Sequence, residues 1–280
     1  MGIVNVTPDS FYEQGRDETA GAGRDRVVRW LAQGADVLDI GGESSKPGAP
    51  AVSAEEQLSR ILPALGCALE NSALVSIDTA SPEVADAALS RGAHIVNDVT
   101  CLSNPELARV TARHDGYLLL SHARGHQSQM QGFSEWPDDA YTDVAGEVVR
   151  ELCLARERAV ELGVRRERVW FDPGLGFSKN ARQSLELLQR LGELCACGAP
   201  VVAGTGRKSF ISGLDPSPPT ERLGGTISAS LWASRAGAAL VRVHDVAAVR
   251  QALIVDAALN GAPGALAPGG HGAQVGRVPR

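Results

Sequence analysis

Short runs of apolar residues alternate along the whole chain with longer stretches whose apolar positions recur at helical spacing. The runs at residues 1–6, 37–40, 74–77, 94–96, 117–120, 169–171, 201–203 and 240–243 predict eight strands. They are continuously apolar, as expected of parallel strands buried on both faces. Between them the spacing predicts helices over 19–33, from 53 toward 71, from 81 onward, and over 105–113, 140–162, 184–195, 226–235 and 247–260. Ser53 with Glu56 reads as a capping box before the second helix. Ser81-Pro82-Glu83 supplies an N-cap, a first-turn proline and an acid at the positive helix end. Trp30 and Trp232 fall within helical stretches and are expected to be packing residues.

Eight β/α units in series fit either a closed barrel or an open doubly wound sheet. A dinucleotide-binding sheet would carry a glycine fingerprint after its first strand. Here the strand runs into Asn5-Val6-Thr7-Pro8-Asp9-Ser10-Phe11, with no glycine to cradle a phosphate. The expected class is therefore α/β, a TIM (β/α)8 barrel forming one domain over residues 1–260. Residues 261–280 are dominated by Gly, Ala and Pro and are expected to form a flexible tail.

Length and composition agree. The chain has 280 residues, and single α/β barrels occupy about 250. Hydrophobic residues make up 44% and aromatics only 4%, so the core must be built mainly of aliphatic side chains. A net charge of -6 lacks the basic footprint of a nucleic-acid binder. The five cysteines are odd in number and without CxxC spacing, which suits reduced thiols in a cytoplasm. No apolar run is long enough for a membrane span and no leader pattern opens the chain, so the expected location is cytoplasmic.

The chemistry is concentrated where the apolar runs stop. Asn5 closes the first, Asp39 the second, Asp78 the third and Asn97-Asp98 the fourth. Ser121-His122 follows the fifth, Asp172 the sixth, Arg207-Lys208 the seventh, and Arg242 with His244 closes the eighth. In a TIM barrel these ends form the rim where the fold gathers its reactive groups. Each member alone has a plainer explanation: Asp78 could cap the next helix, Asp98 could make a turn, and Arg207-Lys208 could be a solvated pair. Lone His94 and His114 read as packing or surface residues, whereas His122 and His244 stand at strand ends. As a set, Asp78, Asn97 and Asp172 suit a flat heterocycle presenting N–H donors. Ser44, Ser45, Lys46, Arg242 and His244 suit an anion. The residues alone imply a small polar substrate that carries phosphate.

Seven segments carry a resemblance. MGIVNVTPDSF at 1–11, DIGGESSKPG at 39–48, SIDT at 76–79, GAHIVND at 92–98, DPGLGFSKN at 172–180, GTGRKSFI at 204–211 and RVHDV at 242–246 resemble the dihydropteroate synthase family, in its order and spacing. The resemblance implies that Asp78, Asn97, Asp172 and Lys208 bind a pterin ring. It gives Ser45, Lys46, Arg242 and His244 to the diphosphate, and Asn5 to the accompanying magnesium ion. Pro47, Phe177 and Ser209, with the stem of Lys208, would line a 4-aminobenzoate site. Lys208, Asp9, Glu13 and Asp39 would be the catalytic group, Asp39 supporting the phosphate region and Asp9 and Glu13 stabilising a cationic pterin methylene. Diphosphate departure eased by magnesium and cations, followed by amine attack, is the implied reaction. The resemblance further implies a homodimer through helices on one side of the barrel, with residues 224–239 as a compatible region.

Four segments depart from the family pattern. Ser45-Lys46 replaces Thr-Arg, and lysine lacks the bidentate phosphate fork of arginine. Glu13 replaces a shorter Asp, Ser121-His122-Ala123 replaces Met-His-Met, and Gly206 stands where Ser usually precedes the basic residue. Two other readings share parts of this pattern. A pterin-binding methyltransferase needs the Asp/Asn cradle without the combined anion cluster. A paralogue that binds pterin without turnover would keep the cradle while its altered loops fail to act.

Overall fold

The structure, a computed structural model, describes residues 1–7, 20–44, 51–125 and 134–261. The strands are β1 (Gly2–Asn5), β2 (Val37–Gly41), β3 (Leu74–Asp78), β4 (Ile95–Asp98), β5 (Tyr117–Ser121), β6 (Val169–Asp172), β7 (Val202–Gly204) and β8 (Leu240–Arg242). The helices are α1 (Ala20–Ala32), α2 (Ala54–Glu70), α3 (Pro82–Leu89), α4 (Pro105–Arg113), α5 (Val144–Glu161), α6 (Ala181–Gln189), α7 (Leu191–Cys195), α8 (Ser209–Leu214), α9 (Leu223–Arg235) and α10 (Val246–Leu259). β1 to β6 pair in sequence order and in parallel, and β7 pairs with β8. Parallel bridges from Phe171 to Val201 and from Gly2 to Val243 join the two pieces at both seams. The eight strands thus close into a (β/α)8 barrel, as the alternation predicts.

The side-chain period of two explains both the core and the rim. One alternate set, including Leu38, Ile40, Val75, Ile77, Val96, Leu118, Leu120 and Phe171, faces the helices and is buried with them in the main apolar core. The other set points into the barrel. Its lower layer is apolar: Met1, Val37, Ile95, Leu119, Trp170 and Val202 form a separate cluster, with Leu74, Tyr117 and Leu240 against it. Two residues further along the same strands the set turns polar, at Asp39, Ser76, Asn97, Asp172 and Arg242. Asp39, Asp78, Asn97, Ser121, Asp172 and Arg242, among the polar residues ending the apolar runs, are therefore upper steps of the inward ladder. Register brings neighbours to one height, pairing Asn5 with Gly41, Gly41 with Asp78, Asp78 with Asn97, Ser121 with Asp172 and Gly204 with Arg242.

Local signals act largely as read. The Ser53 hydroxyl accepts from Glu56 N at 3.2 Å, while the Glu56 carboxylate lies 2.8 Å from Arg60 Nε. The reciprocal capping box forms instead at α6, between Asn180 and Gln183. The helix expected over 184–195 is two helices that meet at Arg190. Trp30 packs as expected, its indole N–H donating to Ile3 O at 2.8 Å. Trp232 departs from the expectation: 50% of its surface is exposed, although its N–H donates to Leu188 O. No described helix is long and apolar enough to cross a membrane. The tail assigned to residues 261–280 lies outside the described residues, apart from Gly261.

Candidate active site

A cavity opens at the C-terminal end of the barrel, a space of about 330 Å³ that includes open solvent. Asp78, Asn97, Asp172 and Lys208 all line it, together with Phe177, Arg242, Ser121, Val99, Gly174 and Gly204. The four residues expected to clasp a ring, which come from four different β/α units, share this space. Asp9, Glu13, Ser45, Lys46 and Pro47 lie outside the described residues.

Arg242 organises one wall. Its Nε donates to Asp39 Oδ2 at 2.5 Å and an Nη donates to Asp78 Oδ2 at 2.8 Å. Asn97 Nδ2 donates to the same Asp39 oxygen at 3.1 Å, and Ser121 Oγ donates to Asn97 Oδ1 at 3.3 Å. This network sets the Asn97 amide, leaving one N–H and one lone pair to face the cavity. Asp39, expected among the catalytic group, is fully buried behind this wall and accepts hydrogen bonds from Asn97 and Arg242. Burial outweighs the Arg242 pairing and lifts the Asp78 carboxyl to about 7, with the carboxylates of Asp39, Glu43 and Asp172 adding to the rise. The pairing with Asp39 and Asp78 outweighs burial at Arg242 and raises its pKa further, so it stays a cation.

The other wall is built from the end of β6 and the segments that follow β6 and β7. Asp172 Oδ1 accepts from Gly174 N at 2.7 Å. Gly204 has no side chain where one would crowd the site: a Cβ there would lie 3.3 Å from Asp172 Oδ2 and 3.7 Å from Lys208 Nζ. Lys208 precedes α8, with its ammonium 4.7 Å from the centre of the Phe177 ring, within cation–π range. Burial brings the Lys208 amine down to about 8, against the pull of Asp172. Ser209 Oγ lies 2.6 Å from Ser134 Oγ.

Other expected residues sit differently. His244 does not line the cavity; burial and then the charges of Arg242 and Arg207 push its imidazole down to about 3, so it is neutral. Asn5 ends β1 on the same rim, its carbonyl accepting from Arg26 at 2.7 Å. Arg207 separates from Lys208 and pairs with Asp245, Nε to Oδ2 at 2.8 Å. Asp98 does make a turn, accepting from Thr100 N and Leu102 N. His122, favoured by its place at a strand end, is wholly buried behind the site and bonded to Glu151. His94 is a packing residue whose Nδ1 accepts from Val75 N.

Sequence reasoning assigned no role to Lys179, the residue that meets His122. The only signal was its place in the glycine-bracketed loop after β6. Ser121, noted at its strand end without a role, lines the cavity.

Residues 1–244 match the family described as pterin binding enzyme. Over 254 residues the chain is 39% identical to the dihydropteroate synthase of Synechocystis sp., covering 90% of this chain and 86% of that one. The solved Xanthomonas albilineans dihydropteroate synthase with 4-aminobenzoic acid superposes with a TM-score of 0.85 at 40% identity, over 94% of this chain and 93% of that one. The Yersinia pestis dihydropteroate synthase in a sulfonamide drug complex superposes with a TM-score of 0.87 at 34% identity, over 93% and 94%.

Proposed function

The chain belongs to the pterin-binding enzyme family, and on that premise we propose that it catalyses the dihydropteroate synthase reaction. It is a transferase that joins 6-hydroxymethyl-7,8-dihydropterin diphosphate to 4-aminobenzoate, giving 7,8-dihydropteroate and diphosphate. One observation carries this reading: Asp78, Asn97, Asp172 and Lys208 meet in a single cavity that Phe177 and Arg242 also line.

The cavity offers acceptors where a pterin has donors. Asp172, with Oδ1 already taken by Gly174 N, presents its second oxygen beside Lys208. Ionised carboxylates bind such N–H edges through short, directional hydrogen bonds. Asn97 adds one donor and one acceptor of fixed direction. Arg242 has five N–H donors and spends one each on Asp39 and Asp78. The remainder would hold diphosphate oxygens, with Ser45, Lys46 and neutral His244. Phe177, Pro47, Ser209 and the Lys208 stem would flank the aromatic amine. Asp9 and Glu13 would stabilise positive charge at the pterin methylene, and Asp39 supports the phosphate side through Arg242.

Among the described residues no group of three or more His, Cys, Asp or Glu could hold a metal. Asn5 offers one amide oxygen, which fits magnesium arriving with the diphosphate, since Mg²⁺ commonly takes few protein ligands beside phosphates and waters. Magnesium, when bound, would neutralise charge on the leaving diphosphate. A cytoplasmic homodimer completes the reading. Trp232 and Leu223 on α9 and Val255 and Leu259 on α10 are exposed apolar side chains that a second copy would cover.

The test is formation of dihydropteroate from the pterin diphosphate and 4-aminobenzoate with magnesium. Product is expected. Saturable pterin binding without product would overturn the synthase reading in favour of a non-catalytic pterin binder.

A further inference from the structure

We infer that Lys179, which lies outside the cavity, is a positioning residue whose buried ammonium holds the turn after β6 and thereby sets Phe177 in the aminobenzoate site. The inference rests on the assignment of Phe177 made above.

Lys179 is fully buried. Its Nζ lies 2.8 Å from His122 Nδ1, 3.1 Å from Phe177 O and 3.2 Å from Gly174 O, with His122 O at 3.5 Å. Burial lowers the Lys179 amine to about 7 against the pull of Asp172, and its three close acceptors match the three donors of the ammonium form, whereas a neutral amine has only two. The bond to Nδ1 requires that nitrogen to carry a lone pair. The His122 proton is then on Nε2, which donates to Glu151 Oε2 at 3.0 Å. Arg124 covers the same carboxylate, its Nε 3.1 Å from Oε2. The chain of contacts runs Arg124, Glu151, His122, Lys179, and ends on the two carbonyls that bracket the turn.

That turn needs holding. Phe177 N donates to Gly174 O at 3.0 Å, the carbonyl that Lys179 also takes. Gly174 has φ +65, and a Cβ there would sit 1.9 Å from His122 O, so the backbone passes too close for any other residue. Ser178 has φ +47, uncommon for a residue with a Cβ. Its hydroxyl accepts from Arg124 N and donates to Arg124 O, while its carbonyl accepts from Tyr141 Oη. A buried cation is retained at such a place only where its partners are many and fixed. Two of those partners, the carbonyls of Gly174 and Phe177, belong to the segment that donates Gly174 N to Asp172 and presents Phe177 to the cavity.

The experiment is a double-mutant cycle on steady-state kinetics, with Lys179→Met and Phe177→Ala singly and together. Lys179→Met is expected to raise KM for 4-aminobenzoate about tenfold and change kcat less than about threefold, and in the Phe177→Ala background to raise KM less than about twofold, because interacting residues are not additive. An equal effect in both backgrounds, or none in either, overturns the inference. If Lys179→Met does not fold, Lys179→Gln, which keeps two donors without the charge, takes its place in the same cycle. Failure of both to fold makes the residue purely structural and overturns the inference as well. Phe177→Ala with unchanged KM would remove the aminobenzoate assignment itself, and the inference with it. A wild-type chain that makes no dihydropteroate would overturn the synthase reading alone. The cycle would then be read from calorimetric titration with 4-aminobenzoate, under the same criteria.

Discussion

Between β2 and β4 the polar groups of the rim hold one another, while between β6 and β7 they are held from behind. Asp39, Asp78 and Asn97 stand on strands, and Arg242 crosses from β8 to join the first two. Phe177, Lys208 and Ser209 stand on segments following strands, where Gly174 and Gly204 leave clearance and the buried Lys179 and His122, with Glu151, stand behind the turn that carries Phe177. The difference is one of how precision is obtained. Strand-borne groups inherit their spacing from parallel register, whereas loop-borne groups need buried polar contacts behind them. Damage to the first wall should therefore appear in folding and pterin binding together. Damage to the second should appear in function, with the fold intact.

The largest expected effect is on the first wall. Arg242→Met strands the wholly buried Asp39 carboxylate and should cost about 3–5 kcal/mol, the usual result of breaking one side of a buried ion pair. Urea unfolding measures it, and a loss below about 1 kcal/mol would break the comparison. Next comes Asp172→Ala, which removes the main acceptor of the ring's donors. Pterin affinity by calorimetry should fall about 100-fold, while unchanged affinity would refute the assignment. Lys208→Ala should then cut turnover strongly with an unaltered circular dichroism spectrum. Collapse of that spectrum would make Lys208 structural and place both walls in one class.

The last effect is a pH dependence. The Asp78 carboxyl is raised from 3.8 to about 7, so the folded chain keeps a proton that the unfolded chain has released. The stability this contributes is fully present below about pH 3.8 and is lost as pH rises through about 7. Pterin affinity should run the other way, strengthening as Asp78 ionises through the same range. Asp78→Asn should flatten both slopes in the titration, and a slope that survives the substitution belongs to another group.

Much of this was legible in the sequence, and the reasons are particular. Eight apolar runs give eight strands because parallel strands are buried on both faces, and the residue ending each run is visible as soon as the run is. Asp78, Asn97 and Asp172 could thus be placed on one rim before any coordinates. Which ends face inward was not legible: Asp98 and Asn97 are adjacent, and only the pleat sends one to a turn and the other to the cavity. The same holds for Ser121 and His122, of which the serine reaches the cavity and the more reactive-looking histidine does not. Nor could the sequence separate Arg207 from Lys208. A φ of +53 at Arg207 belongs to a backbone that turns it toward Asp245. Lys179 was hidden for a simpler reason, since lysine in a loop ordinarily means solvent.

The claim on which the rest depends is that four separated residues serve one ring. A crystal structure of the chain soaked with 6-hydroxymethylpterin tests it directly. The account predicts the ring in the barrel-end cavity, with Asp78, Asn97, Asp172 and Lys208 all within hydrogen-bond reach. A pterin bound elsewhere, or touching only one of the four, would contradict it.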